Sequence, residues 1–421
     1  MNRQLQIMKF GGTSVGDASA IQKVAEIVHA ASRESDLVVV VSAMSGVTNQ
    51  LLEAAKHAAI GDRAAVQAIF SQLRSRHRAA IRELIHSIPQ RVRVNLQLEQ
   101  ILEEGERLCE SAVALSQLTP ATRDAISSLG ERLSAPMVAA ALQERGVPSG
   151  AIEATELIRT DAGHGSAEPH MAATRELCHA RLRPLLQNGI VPVVTGFIGA
   201  TAEGRLTTLG RGGSDYSAAI LGAALDANEV TIWTDVDGLM TADPRLVPGA
   251  STIAEISYRE AAELARCGAK VLHPKTLSPV GESGIPIWIR NTFAPERRGT
   301  RITPAGPATE AAIKGLAVMS TNSDPSLATV TAVGGNMRNP DVVGRILTVL
   351  GRKHLNLISI PAGSFELSFS FVVAKHDLKC ALEAIHSDFR LDAVDLRNGN
   401  ESIPPAAAAW TYAAQDTASA D

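Results

Sequence analysis

Hydrophobic and polar positions change period repeatedly along this 421-residue chain. "LQIMKF", ending at Phe10, is a short apolar run that reads as a strand, and Asp17 then stands as N-cap to the helical spacing of "DASAIQKVAEIVHAAS". "DLVVVVSAM" is apolar without interruption, the pattern of a strand covered on both faces, and helix-like "GVTNQLLEAAKHAA" follows it. Such alternation predicts an α/β domain with a largely parallel sheet. From about Arg63 to Leu118 the pattern turns helical and charged. Ile81, Leu84, Ile85 and Ile88 mark one apolar stripe and Leu98, Ile101, Leu102 and Leu108 another, as expected for a helical insertion packed on the sheet. Strands return with "GIVPVVTGFIGA" and "NEVTIWTD". Ser257 and Glu260 have the spacing of a capping box, and "GIPIWIRNT" closes the first unit near Arg301.

The small, Pro-containing stretch "PAGPATEAA", residues 304–312, reads as a linker between a unit at 1–303 and a second at 313–395. The second runs "KGLAVMST", "LATVTAVGG", a helix "PDVVGRILTVLGRKH", strands "LNLISIPAG" and "ELSFSFVVA", and a helix "DLKCALEAIHSDF". Strand, helix, two strands, helix is the order of a small ferredoxin-like α+β module. Residues 396–421 are Ala-rich and polar and are expected to be poorly ordered.

Composition narrows the partners. A formal net charge of −4 and an aromatic content of 3% argue against nucleic acid or an acidic membrane as the main partner. Cys109, Cys178, Cys267 and Cys380 are far apart, with no zinc-like spacing, so free thiols in a reducing compartment are expected, and no residue is assigned to a metal. The opening "MNRQLQIMKFGG" lacks the apolar core of a signal peptide, and no apolar run is long enough to span a bilayer, which together read as a cytoplasmic protein.

The chemistry-bearing residues gather at strand ends. Lys9 precedes Gly11 and Gly12 between a strand and a helix, where bare backbone and free N–H groups accept an anion; a plain glycine turn is the structural alternative. No Walker A loop is present. "TTLGRGGSDYS" is a second glycine loop opening a helix. Its Arg211 suits a carboxylate or phosphate, while Asp215 either serves the site or caps the helix. Asp235 in "WTDVDG" either meets a ligand at the carboxyl end of a strand or makes an Asp-Gly turn. Lys270 either joins a site or faces a helix dipole, and His273 is given no catalytic role. The hydroxyls of "VSAMSGVTN" either bind substrate or start a helix. Glu131, the acid of "SLGERL", reads by itself as a solvated or ion-paired side chain on an amphipathic helix.

KFGGTSV, SAMSGVTN, SLGERLS, TTLGRGGSDYSA, WTDVDG…DPR and GAKVLHP, in this order over residues 5–301, resemble the aspartate kinases. The resemblance implies the amino-acid kinase fold, a three-layer α/β/α sandwich. It also implies use of ATP and Mg²⁺ to phosphorylate the side chain of L-aspartate, giving 4-phospho-L-aspartate for lysine, threonine and methionine synthesis. By the same resemblance Lys9 is the phosphoryl-transfer lysine, Gly11 and Gly12 form the phosphate loop, and Asp215 orients the lysines. Ser42, Thr48, Glu131, Phe197, Arg211 and Ser214 match aspartate-contacting positions, with Arg211 on the α-carboxylate and Glu131 on the α-ammonium. Thr234, Asp235, Arg245 and Lys270 match nucleotide positions, and Met240 stands where the family usually has tyrosine.

The second unit resembles an ACT domain, a small-ligand module. The family commonly carries two, one inserted in the other. Here only "NSDPS" separates "KGLAVMST" from the remainder, so the inserted module is expected to be missing, and "ISIPAG" departs from the family's "ISTSE". Weak or altered lysine and threonine feedback and a homodimer through the remaining module are therefore expected, with no homoserine dehydrogenase unit. The competing readings are a related amino-acid kinase acting on another carboxylate and a silent amino-acid sensor.

Overall fold

A computed structural model describes residues 3–269, 272–307, 312–321, 324–361 and 366–392. In the first unit the elements run β1 (Gln4–Phe10), α1 (Ala18–Ser32), β2 (Ser35–Val41), α2 (Val47–Ala59), α3 (Arg63–Leu84), α4 (Ile88–Leu115), α5 (Pro120–Glu144) and β3 (Ser149–Ile152). They continue with α6 (Met171–Gln187), β4 (Val191–Thr195), β5 (Ile198–Ala200), β6 (Leu206–Thr208), α7 (Gly213–Leu225), β7 (Glu229–Thr234), β8 (Glu255–Ser257), α8 (Tyr258–Arg266), α9 (Leu277–Ser283), β9 (Ile287–Asn291) and β10 (Thr300–Thr303). One sheet of order β3-β4-β2-β1-β7-β9-β10-β8 forms the centre. It is parallel from β3 to β9, and β10 runs antiparallel to β9.

Alternation along each strand divides the core into two layers, because successive side chains leave a strand on opposite faces. Leu37, Val39 and Val41 join one apolar cluster with Met8 and Phe10, whereas Val38 and Val40 join another with Ile7. The uninterrupted "VVVV" run is thus a strand buried on both faces, and the expected α/β/α sandwich is observed. Helices α1 to α5 cover the first face, and α6, α7, α8 and α9 the second. Asp17 caps α1 by accepting from Ala20 N at 2.8 Å, and the predicted capping box opens α8.

The helical insertion is present as α3 and α4. They pack on α5, which is buried along nearly its whole length from Ile126 to Leu142. Arg132 ties the insertion to α5 through two bonds to Glu104 of α4, at 2.8 and 3.0 Å, and a third to Glu153 at 2.7 Å. Where α4 crosses α5 the chain has Gly105. A Cβ there would stand 2.5 Å from Leu129 Cδ1 and 2.7 Å from Phe70 Cε1.

The C-terminal unit has β11 (Gly315–Ser320), β12 (Leu327–Val333), α10 (Pro340–Arg352), β13 (Leu357–Ser359), β14 (Ser368–Ala374) and α11 (Leu378–Asp388). Its antiparallel sheet has the order β11-β12-β14-β13. This is the expected ferredoxin-like arrangement, except that one outer strand comes from before β12 in the chain. Val330, Phe369, Phe371, Ile346 and Leu382 share one core on the helix side. Ala242, Val247 and Ala250, from the stretch between β7 and β8, belong to that same core. The expected boundary at 304–312 therefore divides the chain in sequence but not in packing. Leu316 N donates to Thr241 O at 2.8 Å, and Thr241 Oγ1 lies 2.9 Å from Nε2 of buried His386. On the opposite face of the small sheet, Ser368 Oγ donates to Glu263 Oε1 of α8 at 2.5 Å.

Residues 308–311 of the expected linker, and the expected tail, lie outside the described residues. Cys109, Cys178, Cys267 and Cys380 are free thiols. No helix among the described residues is long and apolar enough to cross a membrane. Gly105→Ala is expected to destabilise the protein by about 1–3 kcal/mol, because overpacking against Leu129 and Phe70 outweighs the roughly 1 kcal/mol of helix propensity gained. Thermal unfolding checks the sign; a stabilised variant would show that the crossing has slack.

Candidate active site

The carboxyl ends of β1, β2, β4 and β7 lie side by side, the place where ligands bind in open parallel sheets. Lys9 is in register with Val40 and Ile232, so it leaves β1 on the face covered by α7. Its Nζ stands 2.6 Å from Asp215 Oδ1 in the first turn of α7, with side-chain exposures of only 9% and 15%. Each charge offsets the desolvation of the other, which neither would bear alone in this setting. Asp215 is not the helix cap, since α7 has no side-chain cap and begins after Gly212.

Gly11 follows Lys9 and donates to Trp233 O at 3.0 Å, stitching the end of β1 to the end of β7. A Cβ on Gly11 would stand 3.5 Å from Lys9 Nζ, and one on Gly12 3.0 Å from Ala43 O, so bare backbone keeps the space beside the ammonium open. Ser42 N donates to Phe10 O at 3.1 Å and Ser45 N to Gly12 O at 3.0 Å, holding the two strand-end loops together.

Glu131 departs from the solvated or ion-paired residue expected on an amphipathic helix. It is 4% exposed, because the helix that carries it is enclosed rather than amphipathic. Gly130 allows the approach: a Cβ there would stand 2.6 Å from Ala43 Cβ and 3.6 Å from Thr48 Oγ1. Ser214 Oγ donates to Glu131 Oε1 at a long 3.5 Å, while Oε2 is buried with no hydrogen-bond partner among the described residues. Burial pushes the Glu131 carboxyl up to about 7, against the lowering pull of the Ala43 N–H, Lys9 and Ser214.

Arg211 lies on an exposed loop between Gly210 and Gly212, whose φ angles of +79° and +71° favour glycine. Phe197 has φ +71° without being glycine, and its N–H donates to Ser217 Oγ of α7 at 2.9 Å. Its ring would stand 2.7 Å from a Cβ on Gly213, so Phe197 borders the same helix start. Burial and the nearby cations of Arg211 and Lys275 hold His273 below the ordinary histidine pKa, and its side chain accepts from Lys275 N at 3.3 Å, a structural role.

Lys9, Gly11, Gly12, Ser42, Thr48, Glu131, Phe197, Arg211, Ser214 and Asp215 thus form one neighbourhood. Thr234 and Asp235 end the adjoining strand β7, where Thr234 Oγ1 donates to Asp235 Oδ1 at 3.2 Å. Met240 and Arg245 lie farther along this connection. Met240 packs on the C-terminal core and accepts from Thr252 Oγ1 at 3.6 Å, and Arg245 pairs with Asp243 at 2.6 Å. Lys270 lies outside the described residues. Sequence reading missed Asp124, His164, Gly196 and Ser217, which brace this neighbourhood. The one available signal was Asp124 seven residues before Glu131, two helical turns away on the same face.

Two glycine loops and a buried lysine–aspartate pair thus lie together at the carboxyl edge of a parallel sheet covered on both faces, in an α/β protein. The chain belongs to the amino acid kinase family, whose sequence model matches residues 4–291; an ACT domain model matches residues 330–389. It is 41% identical over 303 residues to lysine-sensitive aspartokinase 3 of Escherichia coli (strain K12), covering 71% of this chain and 64% of that protein. It is 34% identical over 404 residues to bifunctional aspartokinase/homoserine dehydrogenase 2, chloroplastic, of Zea mays, covering 93% of this chain and 43% of that one. The matched region is thus less than two thirds of either relative. Among solved structures, that of E. coli aspartokinase III in complex with aspartate and ADP (R-state) superposes with a TM-score of 0.79 at 29% identity, over 91% of this chain and 99% of that one. The same enzyme in complex with lysine and aspartate (T-state) gives 0.80 at 30% identity over the same shares.

The raised Glu131 carboxyl has a thermodynamic sign. Between pH 4.5 and about 7 the unfolded chain ionises this glutamate while the folded chain keeps it protonated, so its contribution to stability falls as pH rises. Relative to Glu131→Gln, the wild type is expected to lose on the order of 3 kcal/mol across that window. Denaturant unfolding of both proteins at several pH values checks it; a constant difference would mean that Glu131 is ionised throughout.

Proposed function

We propose that this protein is an aspartate kinase, transferring the γ-phosphoryl group of ATP to the side-chain carboxylate of L-aspartate to give 4-phospho-L-aspartate. The observation that carries the reading is the orphaned, buried Oε2 of Glu131 beside the Lys9–Asp215 pair. An unpaired acid here suits an α-ammonium group, and Arg211, in the loop that leads into α7 and Ser214, suits an α-carboxylate through two parallel hydrogen bonds. The likeness over most of the chain to an enzyme whose crystal structure holds aspartate and ADP supports the same substrates.

An aspartate side chain has a pKa of about 4, so the nucleophile is ionised at neutral pH and no general base is required. The barrier is repulsion between two anions. Lys9 would hold positive charge at the transferred phosphoryl group, the Gly11 and Gly12 backbone would admit that group closely, and Asp215 would fix the ammonium of Lys9. Thr234 and Asp235 would meet the nucleotide, with Met240, Arg245 and Lys270 farther along its side of the site. No three His, Cys, Asp or Glu side chains gather as a metal cluster among the described residues. The nucleotide's phosphates and water would therefore supply most ligands of a Mg²⁺ ion, as is usual for that ion, and the metal would screen phosphate charge. The 4-phospho-L-aspartate product would feed lysine, threonine and methionine synthesis in the cytoplasm.

With one small sheet among the described residues of the C-terminal unit, feedback by lysine and threonine would be weak or altered, though an amino-acid effector at the ACT region is retained in this reading. Edge strand β13, with exposed Ile358 at its middle and exposed Ile360 just after it, would pair two copies as a homodimer.

ATP, Mg²⁺ and L-aspartate are expected to yield ADP together with an acyl phosphate that hydroxylamine traps. Lys9→Ala should lower kcat by about two orders of magnitude or more. Near-normal turnover in that variant would make Lys9 structural, and no ADP from the wild type would end the aspartate reading. Lysine and threonine, singly and together, are expected to inhibit weakly; strong inhibition at physiological concentrations would contradict the feedback proposal.

A further inference from the structure

Helix α5 carries a second buried carboxylate, Asp124, which is 3% exposed and belongs to none of the roles above. Its two oxygens meet four polar groups. Thr208 Oγ1 donates to Oδ1 at 2.8 Å, and Thr208 N and Gly165 N donate to Oδ2 at 3.2 and 3.1 Å. His164 Nδ1 lies 2.9 Å from the same Oδ2. Asp124 therefore grips the last residue of β6, immediately before the loop that carries Arg211. It also grips the 164–165 turn against which that loop rests: a Cβ on Gly210 would stand 2.8 Å from Gly165 O.

Glu131 lies seven residues farther along the same helix, roughly 10 Å along its axis, and contacts Ser214 on the far side of that loop. One rigid helix thus holds both ends of the segment Thr208–Ser214. Between those anchors Arg211 sits among three glycines on an exposed turn, near His273. The loop is fixed at its ends: Leu209 is buried and donates its N–H to Phe197 O at 2.9 Å, and Gly213 N donates to Gly210 O at 2.9 Å, so Arg211 rides on a turn whose place is set by those ends.

We propose that Asp124 is a positioning residue for the amino-acid substrate: it fixes the entry to the Arg211 loop and so sets where the substrate's α-carboxylate is held. This rests on the aspartate kinase reading. Asp124→Asn keeps the volume but turns an N–H₂ group towards a set of donors, so at least one anchor is lost. The expected result is a KM for aspartate raised by about tenfold or more, with the KM for ATP within about twofold of the wild type. Thr208→Val removes one donor and leaves the backbone bonds. It should raise the aspartate KM by about threefold, and its effect should shrink in the Asp124→Asn background because the two share one interaction.

Equal loss of affinity for both substrates, or unchanged kinetics in both single variants, would overturn the assignment. Should Asp124→Asn fail to fold, the Thr208→Val result decides. If the wild type releases no ADP with aspartate, the substrate reading fails separately. Amide hydrogen exchange over residues 209–214 then tests the anchor by itself: faster exchange in Thr208→Val and Asp124→Asn supports it, and unchanged exchange refutes it.

Discussion

The ion pair between Lys9 and Asp215 is the constraint around which the first unit is arranged. A lysine on the covered face of a central strand is costly, and it is held there by an acid delivered from the first turn of α7. That requirement fixes α7 over β1 and brings Ser214, one residue earlier, against Glu131. It also explains the glycines. Gly11 and Gly12 leave the ammonium a free approach, and Gly210 and Gly212 turn the chain sharply enough to start α7 where Asp215 reaches Lys9.

Helix α5 supplies the opposing wall. It is enclosed by the insertion and the sheet, so the carboxylates it presents lie in a low-dielectric setting where their charges and hydrogen bonds act strongly. The insertion contributes through Arg132, whose bonds to Glu104 and Glu153 lock the rotation of α5 one residue after Glu131. The insertion also reaches the strand-end loops directly, since Arg76 of α3 donates to Ser45 O at 2.8 Å and to Gly16 O at 2.9 Å.

The C-terminal unit is joined to the first by more than a linker. Ala242, Val247 and Ala250 complete its core, and Thr241 bonds both to β11 and to His386 of α11. These residues continue directly from the strand end that holds Thr234 and Asp235. Helix α11 is thereby tied through Thr241 to the connection that follows the Thr234–Asp235 strand end.

Periodicity alone determined much of this protein. The VVVV strand, the two insertion helices, the Asp17 cap, the capping box at Ser257 and the ferredoxin-like order at the C-terminus are local or short-range patterns, so they were legible in the chain. Motif order over residues 5–301 carried the family. Tertiary structure alone decided the rest, because it depends on which surfaces meet. Glu131 became a buried acid with a raised pKa only when Gly130 let α5 close on Ala43. Asp124 acquired its role through partners from two distant loops. The stretch between β7 and β8 found its apolar neighbours in a unit that begins some seventy residues later. Burial and long-range contact are properties of packed surfaces, and no local spacing of residue types encodes them.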